Sequence, residues 1–84
     1  MANEFLILAE KYDSTYIIEY CYQILGEAYF YQEDYNTALN YFKKFLSIQR
    51  QQNDEQGIGR AYNNLGVAYR ALEKYQEAVQ CYEK

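Results

Sequence analysis

The chain repeats itself, and the repeat restricts the fold more than any other feature. Tyr22 to Phe42 reads YQILGEAYFYQEDYNTALNYF, and forty residues on, Tyr62 to Tyr82 reads YNNLGVAYRALEKYQEAVQCY. Tyr22, Leu25, Gly26, Ala28, Tyr29, Glu33, Tyr35 and Ala38 meet identical residues at 62, 65, 66, 68, 69, 73, 75 and 78. Leu39 meets Val79, and Phe42 meets Tyr82. A fixed period of this length marks an array in which one supersecondary unit stacks on the next.

Each copy reads as two helices. Tyr22, Leu25, Gly26 and Tyr29 stand at i, i+3, i+4 and i+7, one stripe of a 3.6-residue helix. Tyr35, Ala38, Leu39, Phe42, Phe45 and Leu46 carry the same period onto a second helix. The short polar Glu33-Asp34 link predicts an antiparallel hairpin, with Asp34 as N-cap of the second helix. Gly26 falls mid-helix, where glycine costs about 0.5–1 kcal/mol relative to alanine. Its recurrence at Gly66 predicts close approach by the neighbouring helix, and Ala38 and Ala78 read alike from the other side.

These residues resemble the tetratricopeptide repeat. A Leu-Gly pair is followed by tyrosine three residues after the glycine, alanine twelve after it and an aromatic sixteen after it. Tyr22 and Tyr62 stand where that family often has tryptophan. The period is 40 rather than the usual 34, and the chain has no proline to end the second helix. Both features resemble the longer-hairpin subtype of LGN/Pins-type adaptors. The resemblance implies an all-α solenoid of antiparallel hairpins.

Taken in order, the chain is expected to be one domain over residues 1–84 with about five helices. Residues 1–12 read as the back half of a preceding repeat, because Phe5, Leu6 and Leu8 align with Phe45, Leu46 and Ile48. The FLILA run is too short for a membrane span and lacks a basic start. Asp13-Ser14-Thr15 predicts a break and a cap. Residues 15–54 form the first repeat and 55–84 a second, truncated one. The expected helices lie near 2–12, 14–31, 34–52, 54–72 and 74–83. Asp54 caps the fourth, while Gly57 and Gly59 weaken its first turns and make residues 53–59 the expected hinge. Gly57→Ala is expected to be neutral or mildly stabilising, provided its dihedrals are helical.

Catalysis finds little to work with. No histidine is present, and Cys21 and Cys81 lie far apart without a CxxC spacing. Cys21 aligns with Ala61 as a packing residue; Cys81 aligns with Tyr41 and is expected to be less buried. Ser14 and Ser47 have no base beside them in the pattern. The expectation is no enzyme, no cofactor and no metal, with unpaired thiols suited to the cytoplasm. A net charge of −4 with no basic stripe argues against nucleic acid, and no membrane partner is expected.

Partner binding remains. With the packing residues removed, the first helix of the second copy leaves a stripe of Arg60, Asn63, Asn64, Val67 and Arg70. The same positions of the first copy hold Tyr20, Gln23, Ile24, Glu27 and Phe30. By the family resemblance, such first helices line a concave groove that takes up peptides. It also implies that Asn64 holds ligand backbone and that Arg60 pairs with acidic ligand residues. Burial of Tyr20, Ile24 and Phe30 against Phe5 and Leu8 is the competing reading. The expected function is a protein- or peptide-binding scaffold. The alternative is self-assembly through open repeat ends, with Val67, Ala71 and Val79 facing outward and a homo-oligomer as the product.

Overall fold

The computed structural model describes residues 15–84, with side chains described from residue 17 onward. It holds four α-helices in sequence: α1 Thr15–Tyr31, α2 Tyr35–Gln51, α3 Glu55–Ala71 and α4 Tyr75–Tyr82. No strand occurs among the described residues. Each helix packs on the next, α1 on α2, α2 on α3 and α3 on α4. The expected helix at 2–12, its cap at 13–14 and the half-repeat reading of residues 1–12 lie outside the described residues. The other expected bounds run about one residue wide at each interhelical turn, because residues 34, 52, 54, 72, 74 and 83 are caps rather than helical positions.

The period has a backbone origin. α1, α2 and α3 are each 17 residues long, and a three-residue turn follows each. In every turn the middle residue is left-handed: φ is 66° at Glu33, 55° at Asn53 and 64° at Glu73. Those positions recur every 20 residues, so two helices and two turns restore the 40-residue period. The hydrogen bonds are those of a Schellman motif. Asp34, Asp54 and Lys74 donate N–H to the carbonyls of Tyr29, Gln49 and Tyr69 at 2.9, 3.1 and 2.8 Å. Glu33, Asn53 and Glu73 donate to Phe30, Arg50 and Arg70 at 3.0, 3.1 and 2.9 Å. Orphan carbonyls at each helix end are thereby satisfied.

The residue that closes one helix opens the next. Asp34 accepts from the Thr37 amide at 3.3 Å, and Asp54 from the Gly57 amide at 3.1 Å, as their sequence positions predict. Lys74 holds the same place before α4 and makes no side-chain cap.

The core runs through all three interfaces. Ala38, Leu39, Phe42, Phe45 and Leu46 of α2 pack with Ala61, Tyr62, Leu65 and Ala68 of α3, and Cys81 of α4 joins them. Gly26 and Gly66 are packing glycines, as the repeat predicts. A Cβ on Gly26 would lie 2.6 Å from Phe42 Cδ1, and one on Gly66 would lie 2.7 Å from Tyr82 Cε1. The aromatic sixteen residues after each glycine thus occupies the space that the missing side chain leaves. Ala38 and Ala78 are both buried.

Gly57 corrects the sequence reading. It is buried, and a Cβ there would collide with Gln49 Oε1 and come within 2.6 Å of Gln49 Cδ. It is a packing glycine rather than a loosened turn, and the turn before it has the same backbone as the other two. Gly57 therefore does not support a hinge at 53–59. Gly59 differs, since a Cβ there would meet nothing within 4 Å. Gln49 itself is 1% exposed and donates through Nε2 to Glu19 Oε1, while its Oε1 has no hydrogen-bond partner. This buried polar link joins α1 to α2 beside the start of α3.

Candidate functional site

α1 and α3 are the first helices of the two hairpins, and a cleft of about 120 Å³ lies between them. Its lining is Glu27, Phe30 and Tyr31 from α1, Phe42 from α2, and Asn64 and Val67 from α3. Four of the ten stripe residues named from sequence therefore meet in one place, two from each copy. Phe42 forms the floor and is 3% exposed, its ring lodged against Gly26. Phe30 forms a wall whose ring meets Tyr31 edge-on at 5.8 Å and Tyr35 at 5.2 Å between centroids. Asn64 and Val67 are half-buried, and Glu27 is exposed.

The other six stripe residues do not line this cleft. Tyr20 is exposed, and Gln23 and Ile24 are half-buried at the middle of α1. Arg60 and Arg70 are exposed on α3, one turn before Asn64 and one turn after Val67. Asn63 turns elsewhere. It lines a second cavity of about 260 Å³ with Gly59, Tyr62, Cys81, Tyr82 and Lys84. Val67, expected on the outward face as well as in the groove, is part of the groove between the copies, while Ala71 and Val79 are exposed. For Phe30, the rings that compete for its surface are Tyr31 and Tyr35. Phe5 and Leu8 lie outside the described residues.

Sequence reasoning missed two lining residues. Phe42 was assigned to packing, and it both packs and floors the cleft. Tyr31 follows Glu27 by four residues, so helical spacing places it on the same face. It is 81% exposed.

Outside the cleft lining, cations lie over tyrosine rings. Tyr41 stacks on Tyr29 at 5.7 Å and lies 6.1 Å from Tyr22, and Lys44 Nζ sits 5.3 Å from the Tyr41 centroid. Arg50 donates to the Tyr62 hydroxyl and lies 5.5 Å from that ring, with Lys84 at 5.9 Å. With Lys43 Nζ 5.9 Å from the Tyr69 centroid, four of the chain's cations are engaged with rings away from the cleft.

The thiols are buried. Cys21 is 3% exposed and Cys81 9%, and both are free. Burial pushes both above their ordinary value of 9.0, and Lys84 and Lys43 pull Cys81 partly back. Among the described residues, no group of three His, Cys, Asp or Glu side chains could hold a metal ion. No described helix is long and apolar enough to cross a membrane.

Comparison with known proteins agrees with this architecture. Residues 18–84 match the tetratricopeptide repeat family. A human relative, G-protein-signaling modulator 1, is 36% identical over 63 residues, which cover 75% of this chain and 9% of that protein. The chain thus spans about a tenth of the length of the relative it matches. No solved structure shows a significant match. Four helices joined by identical turns, the Leu-Gly signature packed as its spacing requires, and a family match across both hairpins lead to one conclusion: the chain belongs to the tetratricopeptide repeat family, in its longer, 40-residue form.

Proposed function

We propose that this chain is a non-catalytic protein-binding module that takes up a peptide segment of its partner along the α1/α3 face. The observation that carries this reading is the shared cleft. Glu27 and Phe30 of one copy and Asn64 and Val67 of the next line a single cavity, although they are far apart in sequence. A half-buried amide among apolar walls suits a peptide, because it offers both donor and acceptor to a main-chain group. Arg60 and Arg70 flank Asn64 and Val67 on the same helix, so acidic ligand side chains fit the α3 edge. A catalytic reading has the opposite chemistry to overcome, since burial holds both thiols in their protonated, unreactive form. Free thiols fit a cytoplasmic setting. The name of the human relative, a modulator of G-protein signalling, fits an adaptor role for this chain as well.

The test is a pull-down with the wild-type chain beside an Arg60→Ala/Asn64→Ala double variant. Partners retained by the first and lost by the second support the groove; the same partners on both would end this reading. Binding through the arginines should also weaken with salt, which screens exposed charges beyond about 8–10 Å at physiological ionic strength.

A second reading has one observation in its favour. Val79 and Tyr82 of α4 are 52% and 45% exposed, whereas their counterparts Leu39 and Phe42 are buried in the core shared with α3. A helix like α3, supplied by a second copy, fits that face. Light scattering across a concentration series separates the readings: a constant mass near 10.1 kDa removes self-assembly.

A further inference from the structure

We infer that the α1/α3 cleft is a socket for one aliphatic side chain of the partner peptide, and that a basic residue flanks this anchor and pairs with Glu27. The inference rests on the groove reading above and adds the class of side chain it selects. Phe30, Phe42 and Val67 give the cleft apolar walls and floor. Its volume of about 120 Å³ suits a leucine or isoleucine side chain. For scale, a dry apolar cavity of about 150 Å³ accepts benzene.

The socket is built before any ligand arrives. Phe42 cannot sink further because Gly26 already receives its ring, with Cδ1 2.6 Å from where a Cβ would stand. Phe30 meets the half-buried Tyr35 edge-on, with ring centroids 5.2 Å apart. A site whose walls are held by packing loses little ordering freedom on binding.

Charge then sets the flanks. Glu27 is the only charged residue in the lining, and no described cation pairs with it. Lys43, Lys44, Arg50 and Lys84 lie over tyrosine rings elsewhere. The free arginines, Arg60 and Arg70, stand on α3 outside the cleft. The α1 rim is therefore negative and the α3 edge positive. A ligand with a basic neighbour beside its anchor is oriented across the groove, its acidic residues toward α3. Exposed ion pairs of this kind give about a two- to fivefold preference.

Backbone-amide NMR titration of the whole chain tests this with three probes: acetyl-Lys-Leu-Lys-amide, acetyl-Glu-Leu-Glu-amide and acetyl-Lys-Gly-Lys-amide. The leucine probes should shift the amides of Glu27, Phe30, Asn64 and Val67. The lysine-flanked one should lose about two- to fivefold in affinity on Glu27→Gln, whereas the glutamate-flanked one should not. Val67→Phe fills the socket and should remove the leucine-dependent shifts while the melting curve stays cooperative. Equal shifts from the glycine probe, leucine shifts centred elsewhere, or a lysine-probe affinity unchanged by Glu27→Gln would each overturn the inference. The two readings fail separately. Partners lost from Asn64→Ala and Arg60→Ala but kept by Val67→Phe and Glu27→Gln would leave the groove standing and remove the socket.

Discussion

The two hairpins share a backbone and differ in what covers them. α1–α2 and α3–α4 have the same Schellman turn, with φ of 66° at Glu33 and 64° at Glu73. In both, an aromatic ring fills the place of a mid-helix glycine. Yet Phe42 is 3% exposed and Tyr82 is 45% exposed. The first ring is trapped between helices on both sides; among the described residues the second has α3 on one side only. Local sequence repeats the turn and the glycine. Burial depends on the neighbour, and the neighbour is not repeated.

The strongest way to break that comparison is to fill both glycines. Gly26→Leu should lower stability by about 1–3 kcal/mol, since the buried Phe42 ring has nowhere to go. Gly66→Leu should cost less, because Tyr82 can swing toward solvent. Thermal melts of the two variants decide. Equal losses would mean that exposure of Tyr82 gives it no freedom.

A second contrast lies within α3. Gly57→Ala should destabilise by about 1–2 kcal/mol, in the lower part of the overpacking range, because Gln49 is buried and tied to Glu19. Gly59→Ala meets open space and should stabilise by about 0.5–1 kcal/mol. Urea unfolding should move the two midpoints in opposite directions. A shared direction would show that Gln49 yields.

The caps offer a gain. Lys74 precedes α4 where Asp34 precedes α2, and it places a positive charge at a helix N-terminus. Lys74→Asp should add about 1 kcal/mol, with Glu77 three residues on to complete a capping box. An unchanged melting temperature would show that the end of α4 is frayed beyond the reach of a cap.

The smallest effect expected is alkaline. Both thiols have folded values raised above 9.0, so the stability they contribute is complete below that pH and is lost as pH climbs through the raised values. Cys21→Ala, which copies Ala61 of the second hairpin, should flatten part of the decline above about pH 9 in chemical denaturation. A decline identical to wild type would assign it to other groups. Lys84 and Lys43 oppose the rise at Cys81.

Much of the cleft's lining was legible in the sequence. Spacing alone put Glu27, Phe30, Asn64 and Val67 on the leftover stripe of the first helices, because helical period fixes a face. It did not separate them from Tyr20, Arg60 or Asn63, which share the stripe but not the cleft. A stripe is a line along one helix, whereas a cleft forms where two helices happen to converge. Gln49 was equally hidden. It aligns with Ala9, so the repeat offered no reason to expect a buried amide against Gly57.

The sequence by itself determined what is local and periodic: four of the helices, the Asp34 and Asp54 caps, the packing role of Gly26 and Gly66, and the 40-residue spacing that carries the family. Those follow from hydrogen-bond chemistry and a 3.6-residue turn within a few residues of chain. Tertiary structure alone decided that Gly57 is filled by Gln49, that Phe42 is at once core and floor, and that Glu27 stands across a cleft from Asn64. Each joins residues from different helices, and such a contact is set by how one helix settles on the next.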